Sequence, residues 1–434
     1  MKRQAIRTRV LLATAMSILI ISIASADTIY VPDDRARIQW AVDNATGGDT
    51  IIVRDGTYTE NVDVSKQLTI RSENGAASTT VQAANSSDHV FNVNEDYTNI
   101  SGFHVTGATS KTGIFLDWAN YCNITDNCAS DNAYGIRLCF SDYNTFVNNS
   151  VNSNTGRGFE LLGSNHNTLQ NNTAKLNAGN NWSCGICAHR NLGLADYNTI
   201  VDNTVNLNGG YGGILLYNAN NSYIAGNTIN SNTYGIYVRS WSGWTQTSPG
   251  SSDHNTITDN KILDNSIAGV VMASLTCAGV EHRTESNTIY NNYFANTDNI
   301  YFAGPKYENT WNIGKTTGLN IVGGRFIGGN YWSDYEGDDT DSDGFGEEAY
   351  NIGDLNQDYL PLVMPMCGDI TGDGNIDTVD LLRLLECVVT GTPVDLCIGD
   401  IDGNGKINVL DVRLLMGYIH NPTGYSLHCG CGEK

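Results

Sequence analysis

Two stretches of acidic and amide residues have the spacing of a cation-wrapping loop. They are Asp369-Ile370-Thr371-Gly372-Asp373-Gly374-Asn375-Ile376-Asp377-Thr378-Val379-Asp380 and Asp400-Ile401-Asp402-Gly403-Asn404-Gly405-Lys406-Ile407-Asn408-Val409-Leu410-Asp411. Each puts oxygen-bearing side chains at loop positions 1, 3, 5, 9 and 12, with glycine at position 6, where a calcium loop turns sharply. Position 7 (Asn375, Lys406) contributes only its backbone carbonyl, so a lysine is tolerated there. The expected ligands are therefore Asp369, Thr371, Asp373, Asn375, Asp377 and Asp380 in the first loop. In the second they are Asp400, Asp402, Asn404, Lys406, Asn408 and Asp411, and the cofactor expected for both loops is Ca2+. A third candidate loop comprises Asp339, Asp341 and Asp343, followed by Gly344 and Glu347. From Phe326 to Asp380 there are fourteen carboxylates and no Lys or Arg, a density that favours bound cations.

One amphipathic helix is expected after each paired loop, at Leu381–Leu385 and Val412–Met416, and none before it. An EF-hand needs both flanking helices. The unit is instead loop-then-helix, occurring twice about 31 residues apart. This arrangement resembles the dockerin domain, over residues 366–434. The resemblance implies calcium-dependent folding and docking onto a cohesin domain of a scaffold or surface protein. Many dockerins present Ser/Thr pairs at loop positions 10 and 11 to their cohesin. Here those positions are Thr378, Val379, Val409 and Leu410, the expected partner contacts, and the departure leaves the cohesin type open. Leu385 and Leu415 are expected near the same contact.

A second group of residues suits sugar chemistry. Trp241 and Trp244 offer rings for stacking on pyranose faces, His189, Arg190, Arg239, His282 and Arg283 supply polar and cationic groups, and Trp182 joins them just ahead of Gly185. They lie where a repeat is stretched. From Ser101 to about Tyr301 an apolar anchor recurs at Ile124, Phe146, Leu169, Ile200, Ile224, Ile257 and Ile289. Three residues after each stands Asn, at 127, 149, 172, 203, 227, 260 and 292. Five further on, six copies have a second Asn, at 132, 154, 177, 208, 232 and 265. A Gly-apolar pair follows, beginning at Gly135, Gly158, Gly185, Gly213, Gly235 and Gly269. The shortest period is about 22 residues, matching a coil of three short strands. Beyond Gly185, Gly235 and Gly269 the run to the next anchor grows by roughly 4, 11 and 9 residues. Insertions at one corner of a solenoid stack on one edge and often build its binding face.

Stacked coils predict an all-β solenoid with asparagine ladders and an apolar interior. The pattern resembles the right-handed parallel β-helix of pectin-lyase-like proteins, in particular the NosD-type repeat group. Ile38–Val42, Gly48–Ile51 and Gly56–Tyr58 resemble the capping helix and first coil of that fold. Gly329–Tyr335 and Asp358–Leu362 resemble its closing segment. The expected organisation is a signal peptide (1–26), an N-terminal cap with the first coils (27–100), the β-helix repeats (101–330), an acidic closing segment and short linker (331–365), and the small α-helical dockerin domain with its two calcium loops (366–434).

Lys2, Arg3, Arg7 and Arg9 precede an apolar run to Ile23 and the small-x-small site Ala24-Ser25-Ala26, the pattern of a secretory signal. The run is short for a membrane span and no later stretch is long enough, so the expected location is secreted, extracellular or cell-surface associated. A net charge of −22 repels nucleic acid and anionic lipid. The eleven cysteines of an exported chain can oxidise. Cys184-Gly-Ile-Cys187 lacks the βαβ setting of a redox dithiol and reads as a local disulfide or two buried thiols.

Three functions follow. The first is a non-catalytic, cohesin-docked protein that binds polysaccharide or cell-wall glycan. The second is a polysaccharide-active enzyme on the same frame, whether lyase, epimerase or glycoside hydrolase. Neither a paired carboxylate set nor a lyase constellation is legible, since Asn296-Thr297-Asp298 stands alone and Asp253-His254 occupies a turn slot. The third, implied by the NosD resemblance, is a copper-delivery accessory, which needs clustered soft ligands that six Met and scattered His do not supply.

Overall fold

The computed structural model describes residues 26–189, 195–241, 250–277, 279–353, 355–372, 374–394 and 396–429. The expected signal segment, up to Ser25, lies outside them, as do Arg190, Trp244 and Asp373. From Thr28 to Trp332 the chain winds as a right-handed parallel β-helix of three long sheets. The first and second sheets have eleven strands each and the third has ten. Most strands of the first two are three residues long with a buried centre, as in Thr145–Val147 and Ser150–Asn152. Such a strand is too short to stand alone, and its stability comes from identical neighbours above and below. The anchors stack in register, Ile124 on Phe146, then Leu169, Ile200, Ile224, Ile257 and Ile289. Helix Ile38–Asn44 covers the N-terminal end, burying Ile38, Ala41 and Val42.

Both expected asparagine registers form buried ladders. The Oδ1 of Asn203 accepts from the backbone N–H (2.8 Å) and Nδ2 (3.0 Å) of Asn172, one coil earlier. Its own N–H and Nδ2 donate to Asn227 Oδ1 at 2.9 and 3.0 Å, and Nδ2 also reaches Leu169 O at 3.0 Å. In the second register, the seventh copy uses Asn296, one residue earlier than the spacing suggests. A third ladder escaped the sequence reading. It runs through Asn144, Asn167 and Asn198, then Asn255, Asn287, Asn309 and Asn356, with Ser222 filling one slot.

The left-handed backbone angles of these turns fall one residue before the ladder asparagines. Asp126, Asn148, Asn171, Asp202 and Asp259 have φ of 55–58°, each just before a ladder Asn. One left-handed residue reverses the chain so that the next side chain points inward. The Gly-apolar pair has a steric cause. A Cβ on Gly135 would lie 2.7 Å from Gly158 O and 2.9 Å from Asn154 Nδ2, inside the second ladder.

The far end is closed by the antiparallel hairpin Tyr350–Gly353 and Asn356–Asp358. Asn356 ends the third ladder and also accepts from Trp311 Nε1 at 2.9 Å. Asp358 ends the first, its Oδ2 accepting from Asn330 N (2.7 Å) and Trp332 Nε1 (2.9 Å). Burial pushes the Asp358 carboxyl up to about 6 against the pull of those donors.

The C-terminal module has two principal helices, Thr378–Thr390 and Val409–His420, each opened by a capping box. Leu384, Ile401 and Leu415 form its fully buried centre, and Cys367 is bonded to Cys429.

Candidate functional site

From Thr112 to Ala273 the strands of the third sheet are six residues long and carry the apolar residue of the Gly-apolar pair inward. The residue after the pair therefore points outward, and register stacks these positions into a row. It runs Phe115, Arg137, Glu160, Cys187, Leu215, Tyr237, Val271. A second outward row at the strand ends runs Asp117, Cys139, Leu162, His189, Tyr217, Arg239, Ala273.

Glu160 lies at the centre of a charged cluster and is 1% exposed. Its Oε2 is 2.8 Å from Arg137 Nε, and its Oε1 meets Arg157 Nη1 and, at 2.6 Å, His189 Nε2. Burial works to raise the Glu160 pKa, but the His189 hydrogen bond and the Arg157 and Arg137 charges override it and hold it at about 2. Burial pushes the His189 imidazole down, and the two arginines add to that effect. The cluster is thus a permanent carboxylate clamped between two guanidinium groups and a neutral ring.

Beside it, aromatic rings cross the sheet. Trp182, 55% exposed at the leading edge, meets Tyr211 edge-on at 5.6 Å, and Tyr211 meets Tyr237 at 5.2 Å. Arg239 sits over Tyr211, Tyr217 and Trp241 at 5.4–5.7 Å and bonds the Tyr211 hydroxyl. Trp241 stacks near Tyr217 at the trailing edge. Cys184 and Cys187, joined as a disulfide, pack with Leu215 beneath Tyr211, Tyr217 and Tyr237. A cleft of about 210 Å³ is lined by Tyr134, Gly156, Arg157, Asn180 and Trp182.

Four of the residues expected to contact sugar, Trp182, His189, Arg239 and Trp241, border this face. Arg190 and Trp244 lie outside the described residues. His282 and Arg283 belong to the hairpin Leu275–Cys277 and Val280–His282 and its exit. His282 is buried with its Nδ1 accepting from Gly250 N–H at 2.9 Å. Arg283 pairs with Glu281 at 2.7 Å and lies over Tyr307. Arg137, Arg157 and Glu160 were missed by the sequence reading. Asp253 Oδ1 accepts from Glu285 N–H and His254 has φ 58°, so this pair does turn work.

In the second paired loop, Asp400, Asp402 and Asp411 bring carboxylate oxygens within 4.8 Å of one another. Asp400 accepts from Asn404 N and Gly405 N, and Asp411 from Asp402 N and Asn408 N. The first loop repeats this, with Gly374 N on Asp369 and Thr371 N and Asp377 N on Asp380. The Asp339 loop has the same bonds, Asp343 N and Gly344 N on Asp339 and Asp343 N on Asp341. There Glu347 joins Asp339 and Asp341 as the converging third carboxylate. Asp343 instead pairs with Lys315 at 2.6 Å, a cation supplied from outside the Lys- and Arg-free stretch. Among the described residues, both convergent groups of three or more potential ligands consist of carboxylates, a hard donor set.

Thr378, Val379, Val409 and Leu410 open the two helices, and all four are exposed. Val379, Leu382, Leu385 and Val389 are also exposed, giving helix Thr378–Thr390 an outward apolar stripe opposite buried Leu384. Leu415, expected near the partner contact, is instead wholly buried in the module's own core.

Comparison with known proteins agrees with this architecture. The profile of the NosD family, described as periplasmic copper-binding protein, matches residues 42–248 and 177–337, and that of the dockerin type I domain matches residues 367–420. A cell surface glycoprotein of Methanothermus fervidus is 32% identical over 337 residues, 68% of this chain and 51% of the relative. The chain thus spans about half the length of that curated relative. Among solved structures, the A-module of a mannuronan C-5 epimerase from Azotobacter vinelandii matches with TM-score 0.45 and 16% identity, covering 64% of this chain and 94% of that one. A pectate lyase matches with TM-score 0.41 and 15% identity, covering 66% and 80%. Neither structural likeness carries chemistry across to this chain. With its coils matched along most of their length and its paired loops matched separately, the chain belongs to the NosD family and bears a type I dockerin domain.

Proposed function

We propose that this dockerin-bearing β-helix protein is exported, docks through its C-terminal module onto a cohesin-bearing surface or scaffold, and binds glycan on the outward face of the third sheet. The observation that carries the glycan reading is the run of rings from Trp182 through Tyr211 and Tyr237 to Tyr217 and Trp241, with arginines set among them. Aromatic faces with a few fixed polar groups are what sugar rings require, an apolar body with directional contacts. The surface homologue from Methanothermus fervidus supports a cell-surface location.

Calcium is proposed for both dockerin loops. Asp369, Asp380, Asp400 and Asp411 are buried carboxylates, and two or three negative charges meeting in one loop repel unless a cation joins them. Asp339, Asp341 and Glu347 are proposed to hold a third ion, by the hydrogen-bond pattern they share with the second loop. The outward stripe Val379, Leu382, Leu385 and Val389 supplies an apolar centre for a protein interface.

A non-catalytic role suits the chemistry at Glu160. A general acid must hold a proton near its working pH, and a carboxyl held at about 2 does not. Incubating the full chain with a panel of plant and cell-wall polysaccharides tests the reading. Retention without new reducing ends or unsaturated uronate absorbance is expected. Turnover of any member would replace this reading with the enzymatic one.

A further inference from the structure

We propose that the glycan this face receives is acidic, its carboxylates taken by the Arg137–Arg157 pair. The proposal rests on the glycan reading above and adds the charge class of the ligand. Two guanidinium groups share the single carboxylate of Glu160, on different oxygens. Among the described residues, neither arginine forms an ion pair with any other carboxylate. Asp117, an acid of the same face, lies in the trailing row opposite Cys139. With His189 neutral beside them, the cluster keeps one positive charge in excess.

That excess stands out against the rest of the molecule. The chain carries a net charge of −22, and between Ser101 and Ala273 the described cations are Lys111, Arg137, Arg157, Lys175, Arg239 and Lys261. All three arginines of that set lie on the outward face of one sheet. Fold stability does not demand this, since other coils fill the same central row with Cys187, Leu215, Tyr237 and Val271. A buried ion pair is on average no more stabilising than well-packed apolar residues of similar volume.

Glu160 instead acts as a clamp. It holds Arg157 through Nη1, while Trp182 O accepts from Arg157 Nε at 3.1 Å, and it lies 2.8 Å from Arg137 Nε, which leaves the outer Nη groups of Arg137 and the Nη2 of Arg157 for a second anion. A planar fork of this kind matches a carboxylate bidentately, and fixing it beforehand removes much of the ordering cost of binding. Arg157 lines the cleft of about 210 Å³ together with Trp182 and Tyr134, so a ring-stacking surface and a carboxylate receiver are side by side. The cleft is smaller than the roughly 300–1,000 Å³ of drug-sized sites, which suits one sugar ring of a longer chain.

The test is calorimetric titration of the full chain, calcium present, with oligomers of polygalacturonate and alginate, the fully methyl-esterified galacturonate oligomers, and neutral β-glucan. At least one acid form is expected to bind about tenfold or more tighter than the neutral ligands. Arg137→Gln, at a partly exposed side chain, should reduce that preference to about threefold or less while the melting temperature stays close to wild type. Trp182→Ala should weaken acid and ester alike. Should Arg157→Gln fail to fold, Arg157→Lys keeps the charge without the fork and should fall between. Equal binding of acid and ester, or a preference untouched by Arg137→Gln, overturns the proposal. Binding of ester or glucan through Trp182 without charge preference would leave the glycan reading standing and remove only its acidic class. No binding to any ligand would remove both.

Discussion

The β-helix and the C-terminal module solve one problem with nearly the same group. Both must satisfy backbone N–H donors at tight turns, and both use the side-chain oxygen of Asn or Asp as the acceptor. In the buried ladders of the β-helix the acceptor is almost always a neutral amide, and each amide also donates to the next coil, so the ladder satisfies itself. In the module the acceptors are carboxylates, which cannot donate. They collect N–H groups from their own loop and leave negative charge facing inward. Its apolar centre, Leu384, Ile401 and Leu415, is small, whereas the β-helix interior runs unbroken from Val31 to Trp332. One region is held by repetition, and the other, on the calcium reading proposed above, is completed by an ion.

The comparison is broken most directly by removing calcium. In calorimetry of the full chain, chelator should lower the transition of the module by about 10–20 °C for each ion lost, and leave the β-helix transition in place. A single unshifted transition would mean the acidic loops need no cation.

The next effect concerns the ladder. Asn203→Leu leaves the N–H and Nδ2 of Asn172 without their acceptor and takes the Nδ2 donor from Asn227 Oδ1 and Leu169 O, although the backbone N–H of residue 203 still reaches Asn227, and should cost about 1–3 kcal/mol in urea unfolding. Asn44→Leu, at an exposed helix end, should stay within about 0.5 kcal/mol. Equal costs would count against ladders as the source of stability.

Acid should separate the regions again. Because the Glu160 pKa is depressed in the folded state, its stabilising contribution is present above the ordinary carboxylate range and is lost as pH falls through that range toward about 2. Glu160→Gln should flatten this part of the pH–stability profile of the β-helix transition. An unchanged acid limb would place the charge balance elsewhere.

The smallest stability effect is expected at Leu382→Asp on the module's outward stripe. It should change the melting point by no more than about 0.5 kcal/mol's worth, yet abolish binding to a cohesin in surface plasmon resonance. Undiminished docking would move the interface to another face.

Much of this was legible in the sequence because it is periodic. Anchors, two asparagine registers, the Gly-apolar pair and the paired loops all recur at fixed spacing, and each recurrence has a local cause. The third ladder was equally periodic, two residues before the anchor at Asn144, Asn167, Asn198, Asn255 and Asn287, but the conspicuous registers hid it. The Glu160 cluster is different. Arg137, Arg157, Glu160 and His189 come from three coils, and only sheet register brings them together. The signal existed, since Arg137 and Glu160 each follow a Gly-apolar pair, in Gly135-Ile136-Arg137 and Gly158-Phe159-Glu160. Aligning copies on that pair would have set them side by side. Left-handed positions carry no single residue type in the sequence, since here Asp, Ser, Leu and Tyr adopt such angles as well as Asn when stacked neighbours demand it.

The hairpin that carries Asn356 and Asp358 has one more implication. A ladder of amides is directional, donating toward later coils and accepting from earlier ones, so each added coil exposes the same unfilled donors as the last. Such a structure behaves like a living polymer with a reactive end, and a second chain could in principle extend it. Asp358 is acceptor-only when ionised, so it receives the final donors and hands nothing on. It acts as a chain terminator for the first ladder, the residue that gives that open-ended register a fixed length.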